Sequence, residues 1–583
     1  MQPASDRPER SDNLRRYGPL ALIAVIVLVV GAVVLVGGGR DDAGGDDDGS
    51  AAGELAWSSV GDAEPGAPEP IGSMPVTYAE AEEDGGTGDH EWPVTCDTER
   101  GTLTMPSVFA LPCVPAFEGD NGGGTARGVT ADTIKVVFYA PETPADLESI
   151  LIGLGANDTP EQRVRTLNDY AEIYSSVAEL YGRTLEFVPY EATGAPDDVV
   201  AARAAATDVI AMEPFAVLGG PALDRGTFAQ ELADAGIPCM GCAGAVPDAM
   251  VLDMAPYVWG GLPSPNQFLA LLGTWSEGLG ETADFAGGDL GGQARKIGVI
   301  HFDQDPPLFE TTEEQQSEQF EGVADIQSYL LDFPTMPAKA TELIARYKAD
   351  GITTIVFLGD PIMPSYLTAA ATEQDYHPEW VFAGTALTDT NVFGRTYDPR
   401  QMDHAFGISQ LPAPVEQDLQ ETIRLYRWYF GGDDTMPPAP NQYALIAPQA
   451  AWLVSGVHMA GPELTPETFA RGLFRIPPRG GGPSRPQVSY GNWGVFPEMD
   501  YQGIDDAVEI WWDTTVEAED ERGTMGSGVW RRSNGGARFT IGEAPAPSPF
   551  ANADDALTVL TTLPPEDTAP TYPAPPGSPA AGN

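Results

Sequence analysis

Between residues 128 and 383 the chain alternates short β-rich runs with helical periods, twice over, and this constrains its fold most tightly. The first series has β-rich runs at 134–140 (IKVVFYA), 184–190 and 215–218. Helical patterns follow each of them, at about 159–180, 196–212 and a stretch ending near 235. The first helix has its start written into it. Thr159-Pro160-Glu161-Gln162 sets a hydroxyl N-cap before a proline, with Gln162 placed for a capping box. Leu167, Tyr170, Ile173, Tyr174, Val177 and Leu180 then recur every three or four residues. A second series has β-rich runs at 296–302, 326–333, 352–359 and 380–383, with helices near 313–323, 337–349 and 364–374. Strands that alternate with helices make parallel sheets buried on both faces, so the expectation is two α/β units. Further helices are expected at 416–430, 441–460 and after Thr465, and a closing strand pair at 507–513 and 528–531.

The first series ends in a loop of small residues, Ile237-Pro-Cys-Met-Gly-Cys-Ala-Gly-Ala-Val-Pro247. Gly241, Ala243, Gly244 and Ala245 leave backbone N–H groups uncovered, as main chain that approaches a ligand requires. Cys239 and Cys242 stand in a C-x-x-C spacing there. Thioredoxin-like chemistry wants the second cysteine inside a helix, which the residues after Cys242 start poorly. A zinc site wants partners, and His90, His301, His377, His404 and His458 are scattered. The leading expectation is a disulfide that staples the loop.

Ahead of the α/β region, residues 20–36 form an uninterrupted apolar run that reaches about 20 residues with its flanks, long enough for a bilayer core. Arg7, Arg10, Arg15 and Arg16 precede it, while Asp41, Asp42, Asp46, Asp47 and Asp48 follow. The positive-inside rule then gives a cytoplasmic N-terminus (1–16), a transmembrane helix (17–39) and an extracellular remainder. A cleaved signal peptide is the competing reading. Residues 41–91 hold fifteen Asp/Glu and no Lys or Arg, a composition that reads as an extended acidic tether over 40–125. Cys96 and Cys113 are expected to close a local loop in that tether. After 542 the chain turns Ala/Pro/Thr-rich, and 543–583 reads as a disordered tail. The formal charge of −56 repels phosphate backbones and makes nucleic acid a poor partner.

The order of elements, with several local patterns, resembles the type I periplasmic-binding-protein fold. Within it the resemblance is to the branched-chain amino acid type of ABC-transporter solute-binding protein. Residues 128–136 (GVTADTIKV) resemble that family's first strand and its lead-in, and YGRTLEFVPYEATGAPDDVVAARAAATDVI from Tyr181 resembles the next strand, loop and helix. Residues 214–220, 236–238, 464–473, 494–496 and 508–513 continue the likeness, which covers about 126–542. The resemblance implies a two-lobed α/β fold with parallel sheets covered by helices, preceded by the transmembrane helix. Lobe 1 would take about 126–260 and 386–475, and lobe 2 about 261–385 and 476–542. It further implies a monomer that closes on a small solute and delivers it to an ABC permease in the same membrane, with no cofactor and no metal.

Ligands of open α/β sheets bind outside the carboxyl ends of the strands. That rule singles out Tyr139 and Glu142, Gly219 and Gly220, Cys242, Ala243, Gly244 and Ala245, Trp259, Asp303 and Asp305, Asp360, and Thr385 as candidate ligand-binding residues. Trp259 is read as able to stack on a ligand, with simple packing as the bland alternative. Asp303-Gln-Asp305 lacks the rest of an EF-hand loop, so ordinary carboxylates are the reading. In similar proteins hydroxyl side chains of the lobe 1 loop hold a substrate carboxylate. Here Gly241 and Ala245 stand where Ser and Thr are usual, which argues against an ordinary α-amino acid. If several of the acids face the cleft, an amine-bearing solute is favoured. No G-x-S-x-G elbow, H-E-x-x-H or P-loop occurs in the chain, so no enzyme is read from it. Alternatives within reach of the sequence are a sensor or adhesion ectodomain of the same fold and an extracytoplasmic thiol–disulfide protein.

Overall fold

The computed structural model describes residues 65–142, 158–195, 197–221, 224–244, 246–304, 307–309, 323–521, 523–551 and 553–582. The expected cytoplasmic segment, transmembrane helix and first part of the tether lie outside these residues. Among the described residues no helix is long and apolar enough to cross a membrane.

Residues 65–125 correct the tether reading. Thr77 caps the helix Tyr78–Glu83 in a full capping box, and strands β1 (Cys96–Asp97) and β2 (Thr102–Leu103) pair antiparallel. Cys96 and Cys113 are joined, with their Cα atoms 5.5 Å apart. The segment is acidic on average, yet Leu103, Met105, Leu111, Cys113 and Val114 are buried in the same core as the lobe 1 helices. Glu80 anchors the helix through Arg475, whose Nη2 donates to both carboxylate oxygens at 2.7 and 2.6 Å. A handful of apolar residues and one fixed ion pair thus outweigh the self-repulsion that composition suggests.

Lobe 1 is a five-stranded parallel sheet in the order β4 (Thr184–Glu191), β3 (Thr133–Ala140), β5 (Ala216–Leu218), β6 (Cys239–Met240), β7 (Val258–Trp259). The period of two along β3 sends Ile134, Val136 and Phe138 into one core and Val137 and Tyr139 into another. The first core meets helices Pro160–Ser175, Tyr443–Ala460 and Pro466–Phe474; the second meets Val199–Ala211 and Thr227–Asp234. Burial on both faces is what a parallel sheet requires.

Lobe 2 carries β8 (Ile297–Asp303), β9 (Val323–Leu330), β10 (Thr354–Leu358), β11 (Glu379–Phe382), β12 (Ala405–Ser409), β13 (Ala507–Glu519), β14 (Met525–Arg532) and β15 (Arg538–Phe539). The order β12-β11-β10-β8-β9 is parallel, and β13 and β14 continue it antiparallel beyond β12. Helices Met336–Asp350 and Met363–Glu373 match the helices expected there, while the one expected near 313–323 falls largely outside the described residues.

The lobe boundaries need correcting. The sequence reading returns the chain to lobe 1 at 386, but β12 is a lobe 2 strand, and Val392, Phe393, Tyr397, Met402, Phe406 and Ile408 belong to the lobe 2 core. The second crossing therefore follows Ser409, and residues 421–476 build lobe 1. The third crossing lies between Tyr501, in the lobe 1 core, and Ala507, in the lobe 2 core, so 476–501 also belongs to lobe 1. The first crossing, at Gly260, is bonded to the third through the Gly260 N–H and Tyr501 O, 2.9 Å apart.

The tail expected to be disordered runs from lobe 2 to lobe 1 across the second crossing. Ser548 N donates to the Glu509 carboxylate of β13, and Arg532 and Leu557 exchange backbone hydrogen bonds. Leu560 N then donates to Pro414 O at 2.8 Å, and Asp567 accepts the Ser484 N–H and hydroxyl at 2.8 and 2.7 Å. Tyr572 OH finally reaches Asp97 at 2.6 Å. Composition predicts little apolar burial here, correctly; the tail is held by its backbone and by Asp567, which is fully buried.

Candidate functional site

All three crossings meet the strands at one edge of each sheet. Crossing 1 leaves the carboxyl end of β7 and crossing 2 the carboxyl end of β12. Crossing 3 enters β13, which runs antiparallel to β12, so its amino end lies at that same edge. The carboxyl ends of both parallel sheets therefore open toward the junction of the lobes, where a ligand of such sheets binds.

At the lobe 1 edge, Gly219 takes φ +76°, the left-handed region that suits glycine, and its N–H donates to Met240 O at 2.9 Å. Its carbonyl oxygen lies 3.5 Å from the Cys239 sulfur and 3.4 Å from that of Cys242. Cys239 and Cys242 are joined, so the C-x-x-C is a staple at the exit of β6. Gly220 makes room for it: a Cβ there would stand 3.1 Å from Cys242 Sγ and 3.2 Å from the Phe228 ring. Cys242 is half-buried, Ala243 is buried, and Gly241 and Gly244 expose their main chain at the edge; Ala245 lies outside the described residues.

The other lobe 1 candidates are engaged in the fold. Tyr139 is buried against Phe228 and Tyr190, with ring centroids 5.1 and 5.9 Å away, so it is a core side chain rather than a ligand contact. Burial raises its hydroxyl pKa, as does the nearby Asp224 carboxylate. Asp224 in turn is pushed up to about 6 by burial, against the backbone N–H bonds it accepts from Phe228 and Gly226. Glu142 is exposed and accepts the Gly194 N–H at 2.6 Å, tying the exits of β3 and β4. Trp259 is fully buried, donates Nε1–H to Pro256 O, and meets Tyr501, Phe474 and Tyr490 at 5.0, 5.5 and 5.6 Å. It packs beneath the first crossing and does not offer a stacking face.

At the lobe 2 edge Asp360 is 1% exposed. Its Oδ1 accepts the N–H groups of Ile362 and Met363 at 2.7 and 3.1 Å, and Oδ2 accepts the Tyr329 hydroxyl. It fixes the start of the helix Met363–Glu373, and burial raises its pKa although those hydrogen bonds oppose the shift. Thr385 is buried and its hydroxyl meets both Gly359 N and Gly359 O at 3.1 Å, stitching the exits of β10 and β11. Asp303 ends β8 half-buried, 3.4 Å from the Ser328 hydroxyl; Asp305 lies outside the described residues.

The edges thus offer main chain at Gly241 and Gly244, but the Gly241 N–H expected to be uncovered is spent on Trp259 O at 2.8 Å, as the Gly219 N–H is on Met240 O. Asp303 is the one half-free acid among the described candidates. The idea of several cleft acids selecting an amine loses its support here, because Asp360 and Glu142 are held by backbone donors. Residues the sequence reading missed lie beside the first and third crossings. Asp248, Ser264, Gln267 and Asp500 line a cavity of about 280 Å³ there. One signal was present: Ser264-Pro265-Asn266-Gln267 repeats the pattern read at Thr159, and Ser264 does cap the helix Pro265–Ser276.

No family model and no curated protein matches the chain. Solved structures similar to it include the fatty acid ABC transporter substrate-binding protein from Thermomonospora curvata, at 15% identity and TM-score 0.44, covering 73% of this chain and 95% of that one. Another is the branched-chain amino acid transporter substrate-binding protein LivJ from Streptococcus pneumoniae in complex with isoleucine, at 12% and 0.43, covering 69% and 100%. A third is an ABC-transporter solute-binding protein from R. palustris in complex with 4-hydroxybenzoate, at 13% and 0.46, covering 73% and 100%. By its own strand order and three crossings, rather than by overall superposition, the chain has the two-lobed α/β fold with parallel sheets that the resemblance to type I periplasmic-binding proteins implies.

Proposed function

We propose that the chain is a solute-binding protein that captures a small molecule between its lobes for an ABC permease in the same membrane. The observation that carries this reading is topological: both parallel sheets present their carboxyl ends, with exposed glycine main chain in lobe 1, at the edge where the chain crosses three times. A solute that touches both edges shifts the lobes toward a closed state by the difference in its affinity for the two arrangements. The apolar run at 20–36 and the arginines before it support a retained anchor with the lobes outside the cell. The two cysteine pairs suit that compartment.

The ligand class follows from what the edges provide. The Gly219 and Gly241 N–H groups are spent on Met240 O and Trp259 O, so the Gly244 N–H is the main-chain donor that suits a carboxylate or carbonyl oxygen, while the absence of hydroxyls in the 241–245 loop disfavours the α-amino acid head group. A small carboxylic acid or amide is the expected solute. A thermal-shift screen of the full-length chain against small acids, amides, amino acids and amines tests this, since a ligand of the folded state raises the melting temperature. The reading predicts hits among acids or amides. A screen in which no solute shifts the transition would overturn it.

A further inference from the structure

The cavity beside the first and third crossings has walls from three places. Asp248 and Val251 come from lobe 1, Ser264 and Gln267 from the first helix of lobe 2, and Phe496 and Asp500 from the approach to the third crossing. Its volume, about 280 Å³, is at the small end of the range for small-molecule sites. Asp248, Glu498 and Asp500 are its charged residues, and no Lys, Arg or His lines it.

Asp500 is 4% exposed. Its Oδ1 accepts Gln267 Nε2–H and Gln502 N–H, both at 2.8 Å, while Oδ2 receives no donor. Behind it is Asp505, fully buried, within hydrogen-bond reach of Asp500. Asp505 Oδ2 accepts Ser489 Oγ–H at 2.7 Å and Gln487 Nε2–H at 3.3 Å, but its Oδ1 receives none. The neighbouring guanidinium of Arg538 is taken by Asp506 at 2.9 Å. Two buried carboxyls thus meet with no protein cation between them. Such a pair is held by a shared proton, or by a cation supplied from outside. The cavity is the route such a cation would take, since Asp500 is among its lining residues and Asp505 is not.

We propose that this cavity binds a small organic cation, a primary ammonium, whose charge is held by Asp500 and Asp248 and whose alkyl part lies against Phe496 and Val251. A metal ion fits less well, because among the described residues no group of three or more His, Cys, Asp or Glu could hold one. The site is separate from the strand edges and does not depend on what binds there. Because Asp248 and Asp500 belong to lobe 1 and Ser264 and Gln267 to lobe 2, the bound cation sits across the parts that must move relative to one another. When the ammonium enters, the proton shared by Asp500 and Asp505 leaves to solvent, so charge is conserved within the site.

The test is titration calorimetry of the full-length chain with butylammonium chloride, using butan-1-ol as the neutral counterpart. Runs at one pH in two buffers of different ionisation enthalpy count the protons released. The expected result is saturable binding of butylammonium with proton release and no binding of butanol. Asp500→Asn should weaken binding by about ten- to a hundredfold, the loss of one charge-assisted contact. Ala270→Leu, on the helix face that lines the cavity, should block binding while leaving the buried carboxyls untouched. Absence of butylammonium binding, equal binding of butanol, or binding that survives both substitutions would each overturn the proposal. A negative result here leaves acids or amides free to bind at the strand edges, so the two readings fail separately.

Discussion

His458 gives the fold an acid-sensitive joint whose size can be worked out. It lies in the helix Tyr443–Ala460, 1% exposed, and its two ring nitrogens are both used. Nδ1 accepts the Glu179 N–H at 2.9 Å, so Nε2 carries the proton and donates it to Pro112 O at 2.9 Å. The helix is thereby joined to the Cys113 segment on one side and to the turn after the helix Pro160–Ser175 on the other. Burial lowers the imidazole pKa from 6.5 to about 4, although the Pro112 carbonyl that accepts from Nε2 opposes the shift. The unfolded chain takes up this proton first as pH falls, so stability is full above about 6.5 and is lost as pH drops toward 4. Between pH 7.5 and 4.5 the loss from this one group is about 2–3 kcal/mol. Other buried groups act in the opposite sense. Asp224 and Asp389 are each raised to about 6 by burial, so each stabilises the fold less as pH rises from about 4 to 6. The measurement must therefore be a difference. Urea unfolding of the wild type and of His458→Gln, followed by tryptophan fluorescence, should show a variant less stable at pH 7.5. That gap should narrow by about 2 kcal/mol by pH 4.5, because glutamine does not titrate. A gap constant to within about 0.5 kcal/mol across this range would refute the assignment.

Two further expectations follow from the packing. Glu379 is fully buried and holds Arg295 Nε and Nη2 at 3.2 and 3.1 Å, so Glu379→Gln leaves a guanidinium buried without its counter-charge. The cost should be about 3–5 kcal/mol, read as a lower urea midpoint, and an unchanged midpoint would contradict the burial described. Asp567→Ala removes the acceptor for Ser484 N and Oγ and should cost about 1–3 kcal/mol. Limited proteolysis should then cut the 553–582 stretch before the lobes; cleavage no faster than in the wild type would show that the tail is held elsewhere.

Periodicity and capping signals made much of the architecture legible. The Thr159 capping box and the three- and four-residue spacing located the helix Pro160–Ser175 closely. The β-rich run at 134–140 matched β3, and AVEIWWD began β13. β12 was not legible. Its five residues, AFGIS, contain Gly407 at φ +151°, where a Cβ would strike Phe382 O, so the glycine that permits the strand also breaks its sequence pattern. Missing that strand displaced the lobe boundary from 410 to 386. The terminal segments were misread for another reason. Acidic or proline-rich composition measures what a segment can bury by itself, whereas 65–125, 543–551 and 553–582 are ordered by a larger body already present. At the candidate site, strand exits were located from the sequence, but side-chain direction was not. Asp360, Thr385 and Trp259 sit at the right ends of their strands and turn into the fold, which no spacing rule conveys.

Amide hydrogen exchange, with and without a solute found by thermal shift, tests the two-lobe account most directly. It predicts that one saturating solute slows exchange at both strand edges together, at 218–220 and 239–244 in lobe 1 and at 358–360 and 382–388 in lobe 2. Protection confined to one lobe, or absent from both edges while the solute is bound, would contradict it.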